Sequence, residues 1–273
     1  MTRILDYNGN DADRTTTVQE ICSLKGSDRR FAQVTASTPA EATAAEAAGM
    51  EMAVCMAQSV PDLRAGSSRL FVTAAIDFTG AVTKEELLGV AFEALSNGAD
   101  AVISARSFEC IEHIAAEDIP IMGHLGFVPK KSTKYGGVRG VGKTADEAMR
   151  LWADFQRLED AGAFGVECEL IPADVMTEIN PRTGLATISL GSGPDADVVF
   201  LFANDICGEQ ERVPRHARRY GDLASLYAEV ERQRVAALTE FRSDVASGGY
   251  PAAGETIAIP ADELAAFQNL IDS

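Results

Sequence analysis

The chain lacks any apolar stretch of the roughly 20 residues that a helix needs to cross a bilayer, and no basic segment leads into an apolar one near its N-terminus. Neither membrane insertion nor secretion is indicated, and a cytoplasmic location is expected. Basic residues are scarce: 24 Lys and Arg face 41 Asp and Glu, a formal net charge of −17 at pH 7. This balance argues against nucleic acid or an anionic membrane as the partner, since both need a positive surface. Histidine is rarer still, with His113, His124 and His216 far apart, and the five cysteines stand singly, without the paired spacing of a zinc or redox site. Any metal site is therefore expected to draw on Asp and Glu oxygens. No linker or low-complexity run divides the 273 residues, 46% of them hydrophobic. A single domain over 1–273 is expected, with 222–273 as a helical extension.

What the sequence does contain is a repeated local grammar. AAEAAGMEMAVC, EALSNGADAVIS and LEDAGAFGVECE each run from an alanine-rich helix end, through Gly49, Gly98 or Gly162, into a short apolar strand. Glycine there suits the left-handed residue that closes a helix. Eight apolar runs follow one another: 31–36, 51–56, 70–76, 101–105, 119–125, 164–170, 186–192 and 198–203. Most are separated by helix-period stretches such as TKEELLGVAFEAL and TADEAMRLWADFQRLEDA. Strands alternating with helices imply right-handed parallel units, and eight of them predict an α/β fold, a closed (β/α)8 TIM barrel with additional C-terminal helices. An open doubly wound sheet is the second choice.

The run FGVECEL carries two carboxylates. By strand alternation Gly165, Glu167 and Glu169 share one face, and Val166, Cys168 and Leu170 the other. In a barrel the apolar face turns to the helices, so both glutamates point inward. Active sites of this fold lie at the carboxyl ends of the strands, which makes Glu169 the better catalytic candidate. Glu167, one layer deeper, needs a partner, a metal, a proton or a water-filled cavity, because an unpaired buried charge is costly.

GVRGVGKT, residues 137–144, matches the phosphate-binding G-x-x-x-x-G-K-[ST] pattern, and VVFLFAND ends a strand on Asp205. That mechanism needs a strand running directly into the glycines, whereas KKSTKYG intervenes here. Thr144 with Glu147 instead predicts a capping box, so the segment reads as a Lys/Gly loop entering a helix.

MGHLGFVPKKS, GGVRGVGKT, LEDAGAFGVECELIPADV, GSGPDADVVFLFANDICG, VPRHARRYGDL and SGGYP together resemble the motifs of the ketopantoate hydroxymethyltransferase family, within the phosphoenolpyruvate mutase and isocitrate lyase superfamily. The likeness is strongest over 119–223. It implies transfer of a hydroxymethyl group from 5,10-methylenetetrahydrofolate to the 2-oxoacid 3-methyl-2-oxobutanoate, a step toward pantothenate. It also implies Mg2+ holding the oxoacid, and a homo-oligomer. Glu169 falls on the family's proton-transfer acid. His124 ends the fifth strand, where it either orients the substrate or serves as a hydrogen-bonded core histidine.

The first half departs from the pattern. Of the family's G-D-S, this chain keeps only Ser59, with Gln58 in place of the metal aspartate; both are carried over as substrate-side positions. The second metal aspartate aligns with Ala74, although Asp77 at the end of LFVTAAID offers a carboxylate nearby as a metal ligand or a loop cap. The family's lysine and glutamate after the fourth strand fall on Ile103 and Ala105, with Arg106 the nearest charge, and Asn204 stands for a family histidine. The connection SVPDLRAGSSR is short for the family's helix. Glu167, where the family has an apolar residue, is then a relocated metal ligand, a partner that raises the pKa of Glu169, or one half of an ion pair with an interior Arg or Lys. The expected function is a hydroxymethyltransferase acting through an enolate. The alternatives are a carbon–carbon lyase, aldolase or hydrolase on another small oxoacid, and a non-catalytic scaffold.

Overall fold

All eight apolar runs form strands: β1 Phe31–Thr35, β2 Met52–Met56, β3 Phe71–Ala75, β4 Ala101–Ile103, β5 Ile121–Gly126, β6 Gly165–Glu169, β7 Ala186–Leu190 and β8 Val198–Leu201. Each pairs in parallel with the next, and β8 pairs with β1, which closes the barrel and rules out the open sheet. The computed structural model describes residues 3–272 in two compact units, one ending at Tyr220 and the other beginning at Gly221. The barrel unit also holds α1 Val18–Cys22, α2 Pro39–Ala47, α3 Val60–Gly66, α4 Lys84–Ser96, α5 Phe108–Ala115, α6 Ala145–Asp160, α7 Ala173–Ile179 and α8 Ala203–Cys207. The short connection after β2 thus still accommodates a helix, α3, of seven residues. The C-terminal unit consists mainly of α9 Leu223–Ser247 and α10 Ala261–Ile271. No helix among the described residues is long and apolar enough to cross a membrane.

Local signals account for the helix ends. Thr38 with Glu41, and Thr83 with Glu86, make capping boxes at the starts of α2 and α4. Gly49, Gly98 and Gly162 follow the ends of α2, α4 and α6 with φ of 78°, 103° and 83°, a region other residues enter at a cost.

Period-two alternation sorts the core into two layers. Phe31, Met52, Val54, Phe71, Met122 and Ile188 pack inside the barrel. Val34, Cys55, Val72, Val102, Val166 and Cys168 face outward against Leu87, Ile111, Ile114, Phe155 and Leu158 of the helices. Each such side chain contributes about 1.5–3 kcal/mol by leaving water. Leu170, expected on the same outward face as Val166, instead has a φ of 50°, so the strand pattern breaks immediately after Glu169.

The amino-terminal end of the barrel is plugged. Ile21 of α1 and Leu24 join the interior cluster. Asp100 ties Arg14 at 2.8 Å and Arg64 at 2.6 Å, and Lys25 holds the buried Asp197 at 2.6 Å. With that end closed, access to the barrel interior is from the carboxyl ends of the strands.

Candidate active site

At those carboxyl ends lies a cavity of about 810 Å3, reached by the ends of all eight strands, from Thr35 of β1 to Phe200 of β8. Its charged lining among the described residues is five carboxylates, Glu41, Asp77, Glu167, Glu169 and Glu209, against one lysine, Lys130, with His124 and His216 besides.

The floor is made by β5 and β6, whose register sets His124 beside Glu167 and Gly126 beside Glu169. Glu167 is 7% exposed and Glu169 8%. Glu169 Oε2 lies 3.1 Å from His124 Nε2, and the Phe127 carbonyl lies 3.2 Å from the same nitrogen. A carbonyl only accepts, so Nε2 carries the hydrogen and Nδ1 presents the lone pair in the neutral ring. Nδ1 faces Glu167 Oε1 at 3.7 Å, beyond hydrogen-bond range. This is the only ion pair of Glu167 among the described residues, so the interior Arg or Lys partner anticipated for it is replaced by a histidine from the neighbouring strand.

Burial works against a charged His124, but the Glu167 charge, the hydrogen bond and charge of Glu169, and the Phe127 carbonyl outweigh it, and its pKa is raised. Burial likewise pushes the Glu167 carboxyl up; the Glu169 charge adds to this and His124 opposes it.

Backbone detail positions the acids. Gly126 has a φ of 85°, and a Cβ there would collide with the Glu169 carbonyl oxygen and meet Ile171 Cγ1 at 2.7 Å. The close join of β5 to β6 at Glu169 therefore requires glycine.

The other expected positions are scattered. Asp77 lines the cavity, where Thr79 Oγ1 donates to it at 3.3 Å and Lys130 Nζ stands 3.8 Å away. Arg106 donates to the carbonyls of Phe78, Ala81 and Val82 and so braces the loop that carries Asp77. Gln58 and Ser59 are not part of the cavity wall, although Met56 is. The reason is that β2 ends at Met56 and the chain turns at once into the 3-10 turn Ala57–Ser59 and α3, carrying both side chains off the strand axis. Ala74 is fully buried in the outward layer against the helices, where a carboxylate would not face the cavity. Among the described residues, His124, Glu167 and Glu169 form the one group of three potential metal-ligand side chains, with ligand atoms within 4.8 Å of one another; Asp77 is outside it.

The sequence reading did not single out Lys130, which lines the cavity, and it noted Asn204 only as a replacement for a family histidine; Asn204 also lines the cavity, and its buried Oδ1 lacks a hydrogen-bond partner among the described residues. Both follow strand ends, which was the available signal. The phosphate-loop motif fails for a specific reason. Glu147 Oε2 accepts from the amides of Gly142 at 3.1 Å and Lys143 at 3.0 Å, and Arg139 grips the same carboxylate from 2.7 Å. An internal carboxylate thus occupies the amides that a phosphate would need. Thr144 caps the Glu147 amide at 3.2 Å, but the glutamate reaches past the cap position to the preceding loop.

The sequence model described as ketopantoate hydroxymethyltransferase matches residues 51–253. A 3-methyl-2-oxobutanoate hydroxymethyltransferase of Thermococcus kodakarensis is 31% identical over 264 residues, covering 88% of this chain and 90% of that protein. One of Pyrobaculum islandicum is 34% identical over 171 residues, covering 62% of this chain and 63% of that protein. Among solved structures, a phosphonopyruvate hydrolase complex with oxalate and Mg2+ superposes with a TM-score of 0.53 at 14% identity, covering 94% of this chain and 98% of that one. A 2,3-dimethylmalate lyase gives 0.51 at 13% identity, covering 83% and 88%. At such identities the structural likeness speaks for the fold alone.

Proposed function

The chain belongs to the ketopantoate hydroxymethyltransferase family, and we propose that it carries out that family's kind of transfer, from 5,10-methylenetetrahydrofolate to 3-methyl-2-oxobutanoate or a close 2-oxoacid, as a cytoplasmic homo-oligomer. The observation that carries the proposal is the buried Glu169–His124 pair at 3.1 Å on the cavity floor.

Glu169 is the proposed base. The hydrogen on His124 Nε2 orients its carboxylate, and the adjoining cavity admits a small oxoacid. The proton beside the substrate carbonyl passes to a Glu169 oxygen, and the C–H electron pair delocalises as an enolate. Water adds to the methylene carbon of 5,10-methylenetetrahydrofolate as both its C–N bonds break, so that tetrahydrofolate leaves with a hydrogen on each nitrogen and the one-carbon unit is left at the formaldehyde level. The enolate carbon bonds to it, and its oxygen takes the proton held on Glu169 and becomes the new hydroxyl. Lys130 is the cation available to the substrate carboxylate, with Asp77 as its tether.

The Mg2+ implied by the resemblance does not fit the residues present. Mg2+ demands near-octahedral oxygen donors. Ala74 and Gln58 offer no carboxylate, Asp77 stands outside the clustered acids, and that cluster contains an imidazole nitrogen. The proton transfer proposed here rests on the protein's own groups.

Loss of the C3 proton of 3-methyl-2-oxobutanoate into deuterated water, followed by proton NMR, tests the reading. Exchange is expected with the wild-type chain and should fall by about 10²–10⁴-fold in Glu169→Gln. No exchange in the wild-type chain, with any divalent cation, would sink the proposal and favour a scaffold or another oxoacid.

A further inference from the structure

We propose that His124 and Glu167 are direct ligands of a first-row divalent transition cation, Zn2+ or Mn2+, in a site on the cavity floor that also draws on the charge of Glu169. The carrying observation is Glu167 itself. It is 93% buried by its 7% exposure, lines the cavity, accepts no hydrogen bond among the described residues and meets no lysine or arginine. Its one oppositely charged partner among the described residues is His124, whose Nδ1 lies 3.7 Å away.

The tautomer sharpens this. With Nε2–H committed to the Phe127 carbonyl and to Glu169, the Nδ1 lone pair of neutral His124 points at a carboxylate oxygen, and two electron-rich atoms face each other across the gap. A proton or a cation must lie between them. A shared proton needs the heavy atoms about 2.7–2.9 Å apart, so the pair would have to close by roughly 1 Å. A metal with bonds of about 2.0–2.1 Å holds neighbouring ligand atoms about 3.0–3.4 Å apart, an adjustment of a few tenths of an ångström from the 3.7 Å found. The surroundings of Nε2 point the same way, since a ligating histidine characteristically donates its other N–H to a carbonyl or carboxylate. His124 has both.

The donor set then selects the ion. Imidazole with carboxylate suits Zn2+ and Mn2+, whereas Mg2+ strongly prefers oxygen alone. The cavity above leaves the remaining coordination positions for water or for substrate oxygens, which would also offset the acidic lining against an anionic ligand.

The test reads binding without turnover. The full chain is stripped with a chelator and titrated with Zn2+, Mn2+ and Mg2+ by calorimetry, with electron paramagnetic resonance for Mn2+. One ion per chain is expected, with Zn2+ or Mn2+ bound about 100-fold or more tightly than Mg2+. Glu167→Gln and His124→Asn should each weaken it by about 10–100-fold or more, and thermal melting checks that both fold. The inference is overturned by absence of saturable binding, by Mg2+ binding as tightly, or by binding that survives both substitutions. A carboxylic-acid infrared band that persists at saturating Zn2+ or Mn2+ and disappears in Glu167→Gln would also overturn it, because a proton would then hold the gap against the metal. Metal binding without proton exchange would remove the transfer and leave this site standing; proton exchange in a chain that shows no saturable metal binding would do the reverse.

Discussion

Two glutamates separated by one residue on β6 have unequal surroundings. Glu169 has an N–H partner at 3.1 Å, while Glu167 has only His124 Nδ1, at 3.7 Å and beyond hydrogen-bond range. A second inward polar residue shares that shortage. Gln33 lies between Phe31 and Thr35 on β1, is 1% exposed, and neither its Oε1 nor its Nε2 finds a hydrogen-bond partner. An unsatisfied buried amide costs about 1–3 kcal/mol, whereas an apolar side chain of similar shape has nothing to satisfy. Gln33→Met is therefore expected to stabilise the barrel by about 1–2 kcal/mol, read as a higher midpoint in urea unfolding at unchanged slope. A lower midpoint would show that the amide is satisfied in solution.

At the scale of elements, the join of β5 and β6 governs the floor. Gly126→Ala would place a methyl group against the Glu169 carbonyl on a backbone of φ 85°. The left-handed backbone alone costs about 1–2 kcal/mol, and the collision adds to it by displacing the end of β6. A melting temperature lower by several degrees is expected, together with a fall in kcat; an unaltered kcat would dissociate Glu169 placement from activity. The loop into α6 responds to pH instead. Arg139, and then the Lys143 and Gly142 amides, hold the Glu147 carboxyl down at about 2 from its ordinary 4.5. Because the folded value is the lower one, the tether is fully present above about pH 4.5 and is lost as pH falls through about 2. Protection of the Gly142 and Lys143 amides, taken relative to their intrinsic exchange rates at each pH, should fall across that interval, and Glu147→Gln should lack that protection throughout.

For the whole molecule, charge dominates the approach of a ligand. The chain carries −17, and the cavity presents five carboxylates to one lysine. An anionic oxoacid is repelled at long range, and salt screens that repulsion, with a Debye length of about 10 Å at 0.1 M. kcat/KM for 3-methyl-2-oxobutanoate is expected to rise between about 10 and 200 mM salt, and Lys130→Ala to raise KM by about 2- to 5-fold, the size of a largely exposed charge contact. A fall with salt would mean that attraction near the floor outweighs the overall charge.

Strand placement was legible in the sequence because its signals are local: period-two apolar runs, threonine–glutamate caps, and glycines closing α2, α4 and α6. The inward direction of Glu167 and Glu169 followed from the same alternation. What faces them did not, because His124 and Glu169 are 45 residues apart and meet only through the register of two strands fixed by barrel closure. For the same reason a motif position such as Gln58 or Ser59 carried no information about whether it reaches the cavity, since that depends on where β2 stops and the chain turns. Alternation within one strand determined that an extra acid points inward; only the pairing between strands decided that its neighbour is a histidine nitrogen, at a distance too long for a hydrogen bond.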